Sequence, residues 1–144
     1  MNVFIIGTPF ETAVALDKKR LNKQIIECKQ IMDALYDSQR GWANHPCTLQ
    51  YDNNRDWLYA YTLCLASFKE SDFKAATYWS ELAESVKPQF HTEEFLNQMK
   101  RRLYTKDHKH YAQWSYLGTS DVNWYWSPSK DTYIYYLNGK RVNI

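Results

Sequence analysis

Apolar residues recur at steps of four and three through the first part of the chain. Leu21, Ile25, Cys28, Met32 and Leu35 form one stripe, which predicts an amphipathic helix beginning near Thr12 or Asp17. It ends before "SQRGWANHP", where Gly41 and Pro46 break regular structure. A second helix starts at Asn53 or Asn54, with Leu58, Tyr61, Leu65 and Phe68 facing inward. Ser71 or Asp72 caps a third, which carries Phe73, Ala76, Trp79, Leu82 and Ala83 and stops before Pro88. Thr92 caps a fourth, with Phe95, Met99 and Leu103 inward and Lys100, Arg101 and Arg102 around the outside. "KDHKHYAQW" adds a short helix, and the apolar run at residues 3–6 is a strand or a buried N-terminal arm. The tail changes period: "TYIYYLNGKRVNI" reads as two strands around an Asn138-Gly139 turn. The expected fold is therefore mainly α, a compact single-domain helical fold with a short C-terminal β-hairpin.

Composition sharpens this in two ways. Aromatic residues make up 17% of the chain, with 6 Trp and 12 Tyr. That is more than a core of this size uses, so some rings are expected at a surface where they can stack on something flat. The net charge is only +2, but it is unevenly spread. Residues 17–30 hold five Lys/Arg and two acids, residues 100–110 five Lys/Arg and one acid, and residues 52–94 eight acids and four bases. The two basic segments, brought together, would make one positive face. Three cysteines without metal-ligand spacing, and no signal peptide, read as a reduced cytoplasmic protein. "VFII" is too short to span a membrane, so no membrane partner is expected.

The first basic segment, "LDKKRLNKQIIE", ends on a carboxylate four residues after a lysine. On a helix, Arg20, Lys23, Glu27 and Gln30 share a face opposite the apolar stripe. Spacing alone reads Lys23 and Glu27 as a solvated i,i+4 pair worth a few tenths of a kcal/mol. If that face lined a groove, the bases would hold phosphates and Glu27 would handle protons. A carboxylate beside a polyanion is tolerated where a proton must be moved.

"LDKKRLNKQIIECKQIMDAL" followed by "RGWANHP" resembles the pyrimidine-dimer DNA glycosylases of phage and bacteria, the endonuclease V type. The resemblance rests on Leu16, Asp17, Leu21 and Glu27, then on Gly41, Trp42, Asn44, His45 and Pro46. "RRLYTKDHKHYAQW" is similar to the family's basic-then-aromatic segment through Lys106, Asp107, His110 and Tyr111. The likeness covers residues 1–128, a helical glycosylase-like domain, and leaves 129–144 as an aromatic hairpin extension. It implies a DNA repair glycosylase with abasic-site lyase activity, a monomer in the cytoplasm (the host's, if phage-encoded), acting on double-stranded DNA that contains a damaged or modified base.

In that family the chain's own α-amine attacks deoxyribose C1′ and expels the base, leaving a Schiff base, and a glutamate moves protons for ring opening and β-elimination. An α-amine ordinarily titrates near about 8, so a useful fraction is neutral at physiological pH. The resemblance places Glu27 as that glutamate and the amine on Met1, or on Asn2 if the methionine is removed. The best-known members carry arginines where this chain has Ile26 and Gln30; Arg20 and Lys23 stand on the preceding turns.

The DNA-binding candidates are Lys19, Arg20, Lys23, Asn44, His45, Arg101, Arg102, Lys106, His110, Tyr111 and Trp114. The basic residues among them would meet phosphates and the rings would stack. His91, His108 and His110 lack an H-E-x-x-H pattern, so no zinc is expected. No Gly-rich phosphate loop, G-x-S-x-G or C-x-x-C is present, and no cofactor is implied. Two other readings fit the sequence: a catalytically inactive DNA-binding module of the same fold, motivated by Ile26 and Gln30, and a small phage-type protein-interaction domain whose aromatic tail docks on a partner.

Overall fold

The structure is a computed structural model and describes residues 1–39 and 41–144. An extended arm, residues 1–6, leads into α1 (Pro9–Ala15) and α2 (Lys18–Tyr36). The short α3 (Pro46–Leu49) precedes α4 (Arg55–Lys69), α5 (Phe73–Ser85) and α6 (Glu93–Lys106). A 3-10 segment, Ala112–Leu117, then leads to β1 (Val122–Ser127), β2 (Thr132–Leu137) and β3 (Lys140–Val142). The strands form one antiparallel sheet in chain order.

Local chemistry sets the helix boundaries. Thr8 and Glu11 make a reciprocal capping box at α1. Asp17, Asp72 and Thr92 each accept from a backbone N–H of the first turn of α2, α5 and α6. Asn54 caps α4 by position but makes no side-chain bond there. The expected first helix is thus two, broken at Leu16, where the backbone is extended.

The buried faces follow the expected stripes with two differences. On α2, Leu21, Ile25 and Cys28 are buried, but Ile31 and Ala34 continue the stripe in place of Met32 and Leu35. Steps of three rotate the inward face slightly, and both replaced residues remain half-buried at its edge. On α5 the inward residues are Ala76, Ser80 and Ala83, whereas Phe73 and Leu82 are exposed. Small side chains on this face allow α5 to lie close against α4. On α4 and α6 the expected Leu58, Tyr61, Leu65, Phe95, Met99 and Leu103 are all buried.

Much of the aromatic excess is core. Trp57 is sandwiched between Tyr51 and Tyr61, with ring centroids 5.2 and 4.7 Å away. Other rings do reach the surface: Tyr36, Tyr59, Tyr78 and Tyr116 are exposed. Asn138 and Gly139 adopt the left-handed conformation that joins β2 to β3, as their sequence requires. The sheet has a further strand, β1, whose residues Val122 to Ser127 pair with Leu137 to Thr132. The buried Gln50 side chain accepts the Trp126 N–H at 3.0 Å.

The arm at residues 3–6 is not a strand. It is a buried segment, with Val3 and Ile5 each 1% exposed. Burying two such side chains contributes roughly 1.5–3 kcal/mol each, enough to fix the chain's beginning inside the fold.

Candidate active site

The arm is held by polar groups from three directions. Gln24 lies on the inner face of α2, 2% exposed. Its Oε1 accepts from the Phe4 N–H at 2.6 Å, and its Nε2 donates to the Asn2 carbonyl at 3.0 Å. The Tyr61 hydroxyl, from α4, donates to the Phe4 carbonyl. From β1, the Tyr125 hydroxyl donates to the Met1 carbonyl at 2.7 Å. Also from β1, Asn123 Oδ1 accepts from Asn2 Nδ2 at 2.9 Å. Together these bonds set the first residue beside the middle of α2.

Glu27 is one helical turn beyond Gln24. It lines a hollow of about 210 Å³ together with Met1, Asn2, Lys19, Arg20, Lys23, Arg102, Lys106 and Asn123. Its side chain is 16% exposed, while that of Lys23, 3.6 Å away, is 69% exposed. The pair is therefore not a fully solvated surface pair: its carboxylate is mostly covered and only its ammonium is open to water. Arg20 is steered into place by Asp17, Nη1 to Oδ1 3.1 Å. Burial pushes the Asp17 carboxyl up, but the hydrogen bond from Tyr111 and the Arg20 guanidinium outweigh it and hold the group below its ordinary value.

Arg102 and Lys106 come from α6, four residues apart, and complete the cationic wall. The Arg102 Nη1 donates to the Ser120 carbonyl at 2.8 Å and its Nε to Asn123 Oδ1 at 3.0 Å. Burial, and then the neighbouring Arg102, Arg20 and Lys23, lower the Lys106 amine from its ordinary value. The two basic segments of the sequence thus meet across one hollow.

His45 caps α3, its Nδ1 accepting from the Cys47 N–H at 3.0 Å. The ring packs edge-on against Tyr125, centroids 5.7 Å apart. Burial, and then the N-terminal ammonium, lower its pKa. His45 does not itself line the hollow, and Asn44 lines a different depression with Pro46, Trp126 and Ile134.

Four further candidates lie elsewhere. Arg101 Nε donates to the Leu117 carbonyl at 2.9 Å, tying α6 to the 3-10 segment. His110 is bonded to the Ala15 carbonyl at 3.1 Å, beside a separate groove. Tyr111 and Trp114 correct the expectation of stacking rings: they are 0% and 7% exposed and stack on each other, centroids 5.5 Å apart. Tyr111 instead fixes the start of α2, its hydroxyl donating to Asp17. The residues that the sequence did not single out are Gln24, Asn123 and Tyr125. Gln24 leaves a trace, a polar residue in the Leu21–Ile25–Cys28 face; nothing local marks the other two.

Among the described residues no cluster of His, Cys, Asp or Glu is placed to hold a metal ion. Among them, too, no helix is long and apolar enough to cross a membrane.

Comparison with known proteins bears on the N-terminal part of this arrangement. No curated protein and no solved structure matches the chain. Residues 1–68 match the family model described as pyrimidine dimer DNA glycosylase. The matched stretch holds the arm, Gln24 and Glu27, and stops before Arg102, Lys106, Asn123 and Tyr125. The match, over just under half of the chain, supports the family that the sequence resembles.

Proposed function

We propose that the protein is a DNA glycosylase with abasic-site lyase activity, working as a monomer on double-stranded DNA. The observation that carries this reading is that Met1 and Glu27 line the same cationic hollow. In the proposed sequence the neutral Met1 amine attacks deoxyribose C1′. The N-glycosidic bond breaks, and the base leaves with its electron pair. A proton delivered to the ring oxygen opens the sugar and leaves an imine between C1′ and the amine. Removal of a C2′ proton then expels the 3′ phosphate and cuts the strand. Among the described residues Glu27 is the one carboxylate lining the hollow, and so the group that carries these protons.

The cations have a separate task. Arg20, Lys23, Arg102 and Lys106 face a single carboxylate, an imbalance that suits the phosphates flanking the reacting sugar. Ile26, where the best-known relatives place an arginine, is 57% exposed. Arg102, arriving from α6, adds a guanidinium to the hollow beside that of Arg20. Lys19 joins the same wall, while the exposed surface around His45 is left for the neighbouring strand.

Borohydride reduction in the presence of abasic-site DNA tests the reading. A covalent protein–DNA adduct that disappears when the α-amine is blocked is the expected result. Salt-dependent binding without any adduct would instead indicate a DNA-binding module without the chemistry.

A further inference from the structure

Asn123 uses only half of its hydrogen-bonding capacity within the protein. Its Oδ1 accepts twice, from Asn2 Nδ2 at 2.9 Å and from Arg102 Nε at 3.0 Å. The orientation of this amide is fixed by chemistry, because a guanidinium nitrogen only donates and must face the oxygen. The Nδ2 group is then left with two N–H donors and no protein partner among the described residues. Asn123 is half-buried and lines the hollow beside Met1, Asn2 and Arg102.

The residue type is informative here. If the position served only to hold Asn2 and Arg102, an aspartate would serve better, since a carboxylate beside a guanidinium gains charge attraction. An amide is preferable where the other side of the group must donate. The hollow is also smaller than the roughly 300–1,000 Å³ of sites that enclose whole drug-sized ligands, and so suits a fragment on the scale of a sugar.

We propose that Asn123 Nδ2 donates to an acceptor oxygen of the sugar–phosphate unit undergoing reaction, making Asn123 a substrate-contact residue supplied by β1. This assignment rests on the lyase reading above. Because the oxygen of the same amide is already pinned, the donor is held in place before substrate arrives and loses little freedom on binding.

The test compares Asn123→Asp with the wild type on two duplexes, one with a natural abasic site and one undamaged. The variant keeps the acceptor oxygens and loses the donor. Its melting temperature is expected to equal or exceed that of the wild type. Its affinity for the abasic duplex is expected to fall by about tenfold more than its affinity for the undamaged one. An unchanged preference overturns the assignment, and so does an equal loss on both duplexes, which charge repulsion alone would produce. If the carboxylate prevents folding, Asn123→Ala is read by the same ratio, and a preserved preference again overturns it. Failure of the underlying reading is distinguishable: a wild type that forms no borohydride adduct overturns the lyase chemistry itself, whereas a wild type that forms one beside a variant with intact preference overturns only the role of Asn123.

Discussion

The Tyr125 hydroxyl donates to the Met1 carbonyl at 2.7 Å, joining the first residue of the chain to the first strand of the sheet. The bond fixes the peptide next to the proposed nucleophile without touching the amine itself. Tyr125→Phe should therefore cost about 1 kcal/mol of stability, the net worth of one hydrogen bond. Single-turnover cleavage of abasic DNA should fall further, by about tenfold or more, because a small displacement of the reacting amine is expensive. Affinity for undamaged duplex should not change. Equal losses in cleavage and undamaged-duplex binding would show that Tyr125 does not act by placing the amine.

Gln24 is another anchor of the arm, and it is buried with both ends of its amide bonded. Gln24→Leu keeps the volume but leaves the Phe4 N–H and the Asn2 carbonyl without those partners. Each orphaned group costs about 1–3 kcal/mol, so a loss of about 3 kcal/mol is expected in urea unfolding, with the slope unchanged.

Glu27→Gln keeps the shape of the side chain and removes its ability to exchange protons. Strand cleavage should drop by about 10²–10⁴-fold while abasic-DNA affinity is kept or rises slightly, since a negative charge has left a phosphate site. Undiminished cleavage would remove Glu27 from the mechanism.

Asp17 gives the fold a predictable acid response. Its carboxyl titrates below its ordinary value in the folded chain, held there by Tyr111 and Arg20 against the effect of burial. A carboxylate depressed by folding adds stability above its unfolded pKa of about 3.9 and loses it as the pH falls through the lower folded value. Asp17→Asn retains an N-cap oxygen but not the charge. The stability gap between wild type and this variant should be present at pH 7 and close below about pH 4. A gap that persists at pH 2 would assign the role to the cap alone.

The longer helices were legible because each carries its own signals, whereas the single turn of α3 was not: Pro46, expected to break regular structure, instead starts it. Asp17, Asp72 and Thr92 announced helix starts, and Phe95, Met99 and Leu103 an inward face that begins three residues after Thr92. The meeting of the two basic segments was also foreseeable, since Arg20 and Arg102 stand out as charge. β1 was not legible: "VNWYWS" lacks clear apolar–polar alternation, and its strand character comes from pairing with β2 and from a glutamine far back in the chain. Tyr111 and Trp114 misled for a related reason. An aromatic next to basic residues looks the same in sequence whether it stacks on a base or packs beneath the lysines, and only tertiary packing decides. Asn123 and Gln24 are ordinary amides until the fold puts the arm between them.

The stitched arm also has a consequence for how the protein comes into being. In the order of synthesis Met1 precedes Tyr125, its clasp on the sheet, by more than a hundred positions. Gln24 and Tyr61 can hold residues 2 and 4 as soon as α2 and α4 are made, but the Met1 carbonyl gains its hydroxyl partner only when β1 docks.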